Sequence, residues 1–262
     1  MDTLATAGRS PSVPGMPWLR VFLAETRCEF LRLLRSPSFC VPTIAFPLMF
    51  YLLFGVLLGG GAGHPEAARR ALASFVVIAT MAPGLFALGT TLAVDRERGL
   101  LELKRALPLP AGALLAAKMA MAMLFAAIAA LVIMLTAALC GGVSLAPAQW
   151  GLLLLLVCAG VLPFCAIGLY VGSCVRAAAA PAVLNLVYLP MSFLSGLWIP
   201  LAALPRGVAS VAPLWPSWHL AQLGLEIVGV AFTGTHAGHF AALSGVTLVF
   251  FVAARRRLAR PR

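Results

Sequence analysis

The sequence predicts an all-α integral membrane fold, with six transmembrane helices preceded by an amphipathic helix lying along the membrane surface. Three observations carry that prediction. Apolar residues make up 62% of the chain and charged residues only 10%, against roughly 25% charged in soluble domains. The apolar residues are gathered into runs of about 20, and at about 1.5 Å per residue such a run spans the ~30 Å core of a bilayer. The basic residues stand at the ends of these runs. A net charge of +11 could suit nucleic acid, but charges placed this way set membrane topology, so no nucleic-acid partner is expected.

Residues 1–16 are rich in Pro, Gly and Ser and are expected to form a disordered tail. They hold no apolar core of signal-peptide type, so the first span is expected to act as its own insertion signal. A membrane domain then runs over 17–254. It opens with an interfacial helix, 17–36. On a helical wheel Leu19, Phe22, Leu23, Phe30, Leu33 and Leu34 share one face. Arg20, Glu25, Arg27, Glu29, Arg32 and Arg35 take the rest, and Ser36-Pro37 ends the helix.

Span one is expected over 39–58, kinked by Pro42 and Pro47, and span two over 71–94, with Pro83 and Gly84 near its middle. Spans three and four follow over 119–139 and 150–171, then span five over 181–199, broken by Pro190. The segment 201–238 carries Pro205, Pro213 and Pro216 with Trp215, Trp218 and His219. It is too broken for a span and too apolar for a free loop, so it reads as short re-entrant helices at the outer interface, where Trp is favoured. Span six covers 239–254, and 255–262 is a basic tail.

The longest charged stretch between two spans is 95–118. Glu97, Leu100, Leu101 and Lys104 have the spacing of a short amphipathic helix, stopped by Pro108 and Pro110. Such a helix is expected to project into water, either as a grip for a soluble partner or as an ordinary solvated loop. Of the 19 Lys and Arg, sixteen fall on the side of the termini and this stretch, and only Arg69, Arg70 and Arg206 on the other. The basic side is cytoplasmic by the positive-inside rule, which places both termini inside.

Motifs of soluble chemistry are missing from the sequence. There is no G-x-x-x-x-G-K-[ST], and no Gly-Lys pair at all. No H-E-x-x-H occurs, and no CxxC pair among the six cysteines, which read as small buried apolar residues, neither disulfides nor a metal site. His236 and His239 lack a carboxylate or Cys cluster to complete a metal site, and Ser195 reads as a helix-packing residue. Neither catalytic nor metal-binding residues are expected. The spans hold few polar groups; Asn185 is the one weak candidate for a substrate pathway, with helix packing as its competing role. Gly55-x-x-x-Gly59 and Gly168-x-x-x-Gly172 permit close helix contact, within the chain or between subunits.

The order of these parts resembles the permease subunit of type-2 (ABC-2) ABC exporters over essentially the whole chain beyond the tail. Glu97-Arg98-Gly99, Glu102, Leu107-Pro108 and Lys118 are similar to that family's first cytoplasmic loop. Arg35-Ser36-Pro37, Phe54-Gly55 and the run from Phe193 to Pro200, with Leu204-Pro205 after it, fit as well. The resemblance implies a permease in the plasma membrane, a bacterial inner membrane, coupled to a separate ABC ATPase subunit. It implies a second permease copy, a homodimer or a similar partner, within the membrane lipid. No cofactor belongs to this chain; ATP and Mg would sit on the ATPase. The family's coupling helix maps onto Glu97, Arg98, Gly99 and Glu102, and the ATPase would also touch the 17–36 helix. A nearly uncharged pathway suits an amphipathic or lipid-linked cargo. An ion-coupled secondary transporter and an intramembrane enzyme are the alternatives; the scarcity of membrane carboxylates counts against the first.

Overall fold

The computed structural model describes residues 18–58, 63–100, 103 and 111–258, with the side chains of 111–113 left out of account. Helices account for almost all of it. Helix α1 runs Trp18–Leu34, and α2 runs Pro37–Phe50 and continues as a π-helical turn, Tyr51–Leu57. Helix α3, Pro65–Ala82, passes through a second π-helical turn, Pro83–Ala87, into α4, Leu88–Glu97. Two long helices follow, α5 over Ala111–Leu139 and α6 over Pro147–Cys174, then α7 over Ala180–Leu194. Beyond short turns come α8, Arg206–Val211, α9, Pro216–Ile227, and the last helix α10, His236–Leu258.

Five of these helices are long and apolar enough to cross a membrane: Pro37–Leu57, Pro65–Glu97, Leu114–Leu139, Pro147–Cys174 and His236–Leu258. The expected fifth span is α7, which has 15 residues and reaches only about 22 Å. Gly196, at φ 74°, turns the chain just beyond it, because only glycine takes that backbone conformation without cost. Residues 195–199 therefore do not extend the helix as the sequence suggested.

The α3–α4 column is the centre of the molecule. Leu72, Ile78, Met81, Leu85 and Leu88 along it are fully buried. Pro83 lacks the N–H that an unbroken α-helix would need, and the column widens there into its π-turn. Thr80 and Thr91 bond back to the carbonyls of Val76 and Ala87, at 2.8 and 2.6 Å, so their hydroxyls are satisfied within the buried column.

Helix α6 lies against this column along a glycine seam. A Cβ at Gly168 would stand 2.6 Å from the Leu85 carbonyl oxygen, and one at Gly84 2.8 Å from Phe164 Cβ. Gly172 meets Gly89 backbone to backbone. The Gly168–Gly172 pair therefore serves packing within the chain. Gly55 is likewise turned inward, against Tyr51 and Ala71.

At the end away from the basic tail, α9 is fastened to three helices. Ser217 and Ser195 hydroxyls lie against each other and both reach the Met191 carbonyl of α7. Ser195, 3% exposed, is thus a packing residue, as its sequence context suggested. Gln149 on α6 accepts from Ala146 N–H at 2.9 Å and donates to the Ile227 carbonyl at 2.7 Å, closing the last turn of α9. The third fastening, to α10, runs through histidines. Of the cysteines, Cys165 alone is buried, and Cys28 and Cys140 are exposed, so burial as an account of the set is corrected for those two.

Candidate coupling face at the basic end

The stretch 95–118 has both its ends, Asp95 and Lys118, inside the protein, while 101, 102 and 104–110, within the helix expected to project into water, lie outside the described residues. Glu29, Asp95 and Lys118 are each no more than 5% exposed. Lys118 Nζ stands 2.6 Å from Glu29 Oε1 and 3.1 Å from Asp95 Oδ2. Arg32 completes the group, its Nη1 3.5 Å from Glu29 Oε2 and 3.6 Å from Asp95 Oδ1. Two acids and two bases balance. The four residues come from α1, α4 and α5, so the cluster joins the surface helix to both helices that flank the charged stretch. Carboxylates this far from water persist only when paired, and removing one partner leaves a charge uncompensated.

The same cluster explains the orientation of α1. Its inward face is Val21, Glu29 and Leu33, while Leu19 and Leu23 are more than half exposed. Glu29, which the helical wheel set on the polar face, is buried. Its pairing with Arg32 three residues on is local, but the sequence gives no sign of the burial, because Lys118, which holds Glu29 inside, lies 89 positions further on.

A second suture sits one residue further along. The last turn of α6 leaves carbonyls without intrahelical donors. Arg96 supplies them, donating through Nη1 to the Ser173 carbonyl and through Nη2 to the Val175 carbonyl at 2.6 Å. Arg257 of α10 donates Nε to the same Ser173 oxygen at 3.3 Å. Glu97 Oε1 accepts from the Ala177 N–H at 2.9 Å. The ends of α4, α6 and α10 and the turn before α7 are thereby tied into one layer.

Beyond Glu97 the chain turns outward. Arg98 closes α4, and Gly99, at φ 69°, takes the left-handed position that commonly ends a helix. A Cβ at Gly99 would meet nothing within 4 Å, so the requirement for glycine is conformational. Leu103 N–H donates to the Gly99 carbonyl at 3.1 Å, and Leu103 itself is 61% exposed. Of the four coupling residues expected, Glu97, Arg98 and Gly99 form this turn; Glu102 lies outside the described residues. Asn185 stands apart. It is exposed on α7 and donates to its own Pro181 carbonyl at 3.1 Å.

One apolar groove, of about 360 Å³, opens between α6, α9 and α10, with Gly160, Pro163, Leu220, Leu243 and Phe251 among its walls. It takes in neither Asn185 nor the basic end. Among the described residues no group of three or more His, Cys, Asp or Glu is placed to hold a metal ion.

An all-helical body with five helices of membrane-crossing length among the described residues defines an integral membrane protein. The chain belongs to the ABC-2 type transporter family, whose model matches residues 20–228 and so takes in everything from α1 to the end of α9. It is also similar to a Bacillus subtilis (strain 168) protein named "Putative transport permease YvfS", at 26% identity over 211 residues, which is 80% of this chain and 86% of that one.

Proposed function

We propose that this chain is the membrane subunit of an ATP-driven exporter, paired with a second permease copy and moved by a separate ATPase that grips the turn at Glu97, Arg98 and Gly99. The observation that carries this reading is the double suture beneath that turn. A push on an ordinary flexible loop would be lost in bending. Here the turn rises from α4, which is pinned to α1 and α5 by the buried ion cluster and to α6 by Arg96, while Arg257 ties α10 to the same Ser173 carbonyl. A load applied at Arg98 is passed to five helices as to one block. Interfaces of this kind act as two-state elements, because packed contacts switch rather than stretch.

In this account Arg98 and Glu102 offer charge to the partner and Leu103 offers an apolar contact, while Gly99 sets the angle of approach. Charges on such a rim govern partner choice and docking rate more than affinity. The exposed apolar face of α1 lies in the membrane surface, beside the ATPase. Helix α7 would be the sixth, short span, which the bilayer accommodates by local thinning at modest cost. The stacked rings of Phe46, Phe50 and Phe54, with Phe193 against Trp198, give a rigid aromatic ledge on which a second copy would pack.

The experiment is co-purification of a P-loop ATPase from native membranes with the tagged chain. Arg98→Glu should reduce the recovered ATPase and the cargo-stimulated ATP hydrolysis by about tenfold or more, since like charges facing each other across an interface cost on the order of 1–2 kcal/mol or more. Full ATPase recovery and full coupling with Arg98→Glu would remove the turn from the mechanism.

A further inference from the structure

The end of the molecule opposite the coupling face carries a pair of histidines that the transport reading does not use. His219 on α9 and His239 on α10 place their Nδ1 atoms 2.9 Å apart. Their other nitrogens are also engaged. His219 Nε2 is 2.9 Å from the Pro213 carbonyl, and His239 Nε2 is 2.9 Å from the Thr233 carbonyl. A carbonyl only accepts, so both Nε2 atoms must carry hydrogen. Two neutral rings so arranged would point bare lone pairs at each other across the Nδ1 contact. The geometry is satisfied when one further proton lies between the two Nδ1 atoms. We propose that His219 and His239 share a single proton and form a pH-sensitive clasp that holds α9 against α10.

The pair is enclosed. Trp218 makes T-shaped contacts with both rings, with centroids 5.0 Å from His219 and 5.4 Å from His239. His239 is 2% exposed. Gly234 closes over it, and a Cβ there would stand 2.9 Å from His239 Nε2. The other charged groups at this end are engaged elsewhere or stand on other elements. Glu226 of α9 pairs with His236 of α10, making a second link across the same seam. Glu66 meets Arg70 at 3.4 Å on α3, and Arg69 donates to the Ser144 carbonyl at 3.2 Å. Arg206 lies on the exposed α8. No carboxylate stands beside the pair among the contacts of the described residues, so the shared proton carries its charge alone.

The sign of the effect follows from counting protons. With one shared proton the clasp is closed. As pH rises and that proton is lost, either two lone pairs oppose each other or one ring gives up its carbonyl bond. As pH falls and a fourth proton is added, two N–H groups collide. Burial chiefly, and the charge of His239, depress the His219 pKa against the Pro213 carbonyl, which raises it, and so resist that second charge. Clasp strength therefore peaks at intermediate pH, and the two rings titrate as a unit. Since α9 also carries Ser217 and the Ile227 cap, its release would loosen the whole 212–235 segment.

Histidine-selective ¹⁵N labelling of the full chain in lipid nanodiscs tests the shared proton. The expected spectrum near neutral pH has one proton coupled to two Nδ1 nitrogens, lost in His219→Gln and in His239→Gln. Two rings with independent tautomers and no common proton overturn the proposal. Amide exchange of α9, corrected for its intrinsic pH dependence, tests the clasp in a His236→Gln background that removes the second link. Protection should fall about tenfold between pH 7 and about pH 5, with no such fall once His239→Gln is added. Identical pH dependence in both overturns the clasp even if the variants fold. Addition of zinc ion alone is the third arm: displacement of the shared proton at micromolar zinc makes this a metal site and the proton reading fails.

Discussion

Lys118 is the residue on which the basic end turns. It sits between two carboxylates of different helices, and its other neighbour in the cluster, Arg32, has a side chain 44% exposed to solvent. Lys118→Met keeps the volume and removes the charge. Breaking a buried pair in this way costs about 3–5 kcal/mol, so the variant's denaturation midpoint in detergent should drop sharply. Adding Asp95→Asn should recover part of the loss by removing one uncompensated acid. A midpoint unchanged by Lys118→Met would mean the cluster contributes nothing. Gly99 is a smaller case. Gly99→Ala forces a left-handed φ on a residue with a Cβ, at about 1 kcal/mol. It has room for the added atom, so it should lower ATPase coupling with little change in expression. At this scale the sequence showed where the charges were but not which were buried. Asp95 and Lys118 read as the rim of a solvated loop because α1, which supplies Arg32 to the first and Glu29 to the second, is far away in the chain, and long-range pairing leaves no trace in local spacing.

Among elements, the seam between α3–α4 and α6 brings backbones together at Gly84, Gly89, Gly168 and Gly172. Its glycines allow backbones to touch, which is how helices associate in a bilayer without a hydrophobic drive between them. The obstacle facing Gly168 is the Leu85 backbone, which cannot swing aside as a side chain could. Gly168→Ala should therefore destabilise the chain by about 1–3 kcal/mol and lower the yield of folded protein. Gly151→Ala, where nothing stands within 4 Å, serves as the neutral control. Equal yields for the two would show that the seam is looser than described. The glycine spacing itself was legible in the sequence, and so were the prolines that bend α2 and widen α3 into α4. The partner of the glycines was not, because a small-residue stripe fits a neighbouring helix of the same chain and one of a second chain equally well. The short length of α7 was hidden too: residues 195–199 are apolar enough to continue a span, but Gly196 turns them away.

For the whole molecule, the two ends do different work. The basic end is sutured by ion pairs and arginine caps into a block from which one turn protrudes. The opposite end is held by hydroxyls, an amide, histidines and the Glu226–His236 pair. A load received at the first end and a seam at the second are what a gated passage between two compartments requires. The all-helical class was readable from composition, and the family from the order of parts together with Glu97-Arg98-Gly99. The sutures that give the turn its stiffness became visible only in three dimensions, since Arg96 and Ser173 are 77 positions apart.

The central claim is that the Glu97–Gly99 turn faces the compartment of a nucleotide-hydrolysing partner and is covered by it. The direct measurement is labelling of Arg98→Cys, in a chain whose native cysteines are replaced, with a membrane-impermeant maleimide. The account predicts no labelling in intact cells, labelling in inverted vesicles, and protection there when the ATPase is bound. Labelling of intact cells from the outside would contradict it.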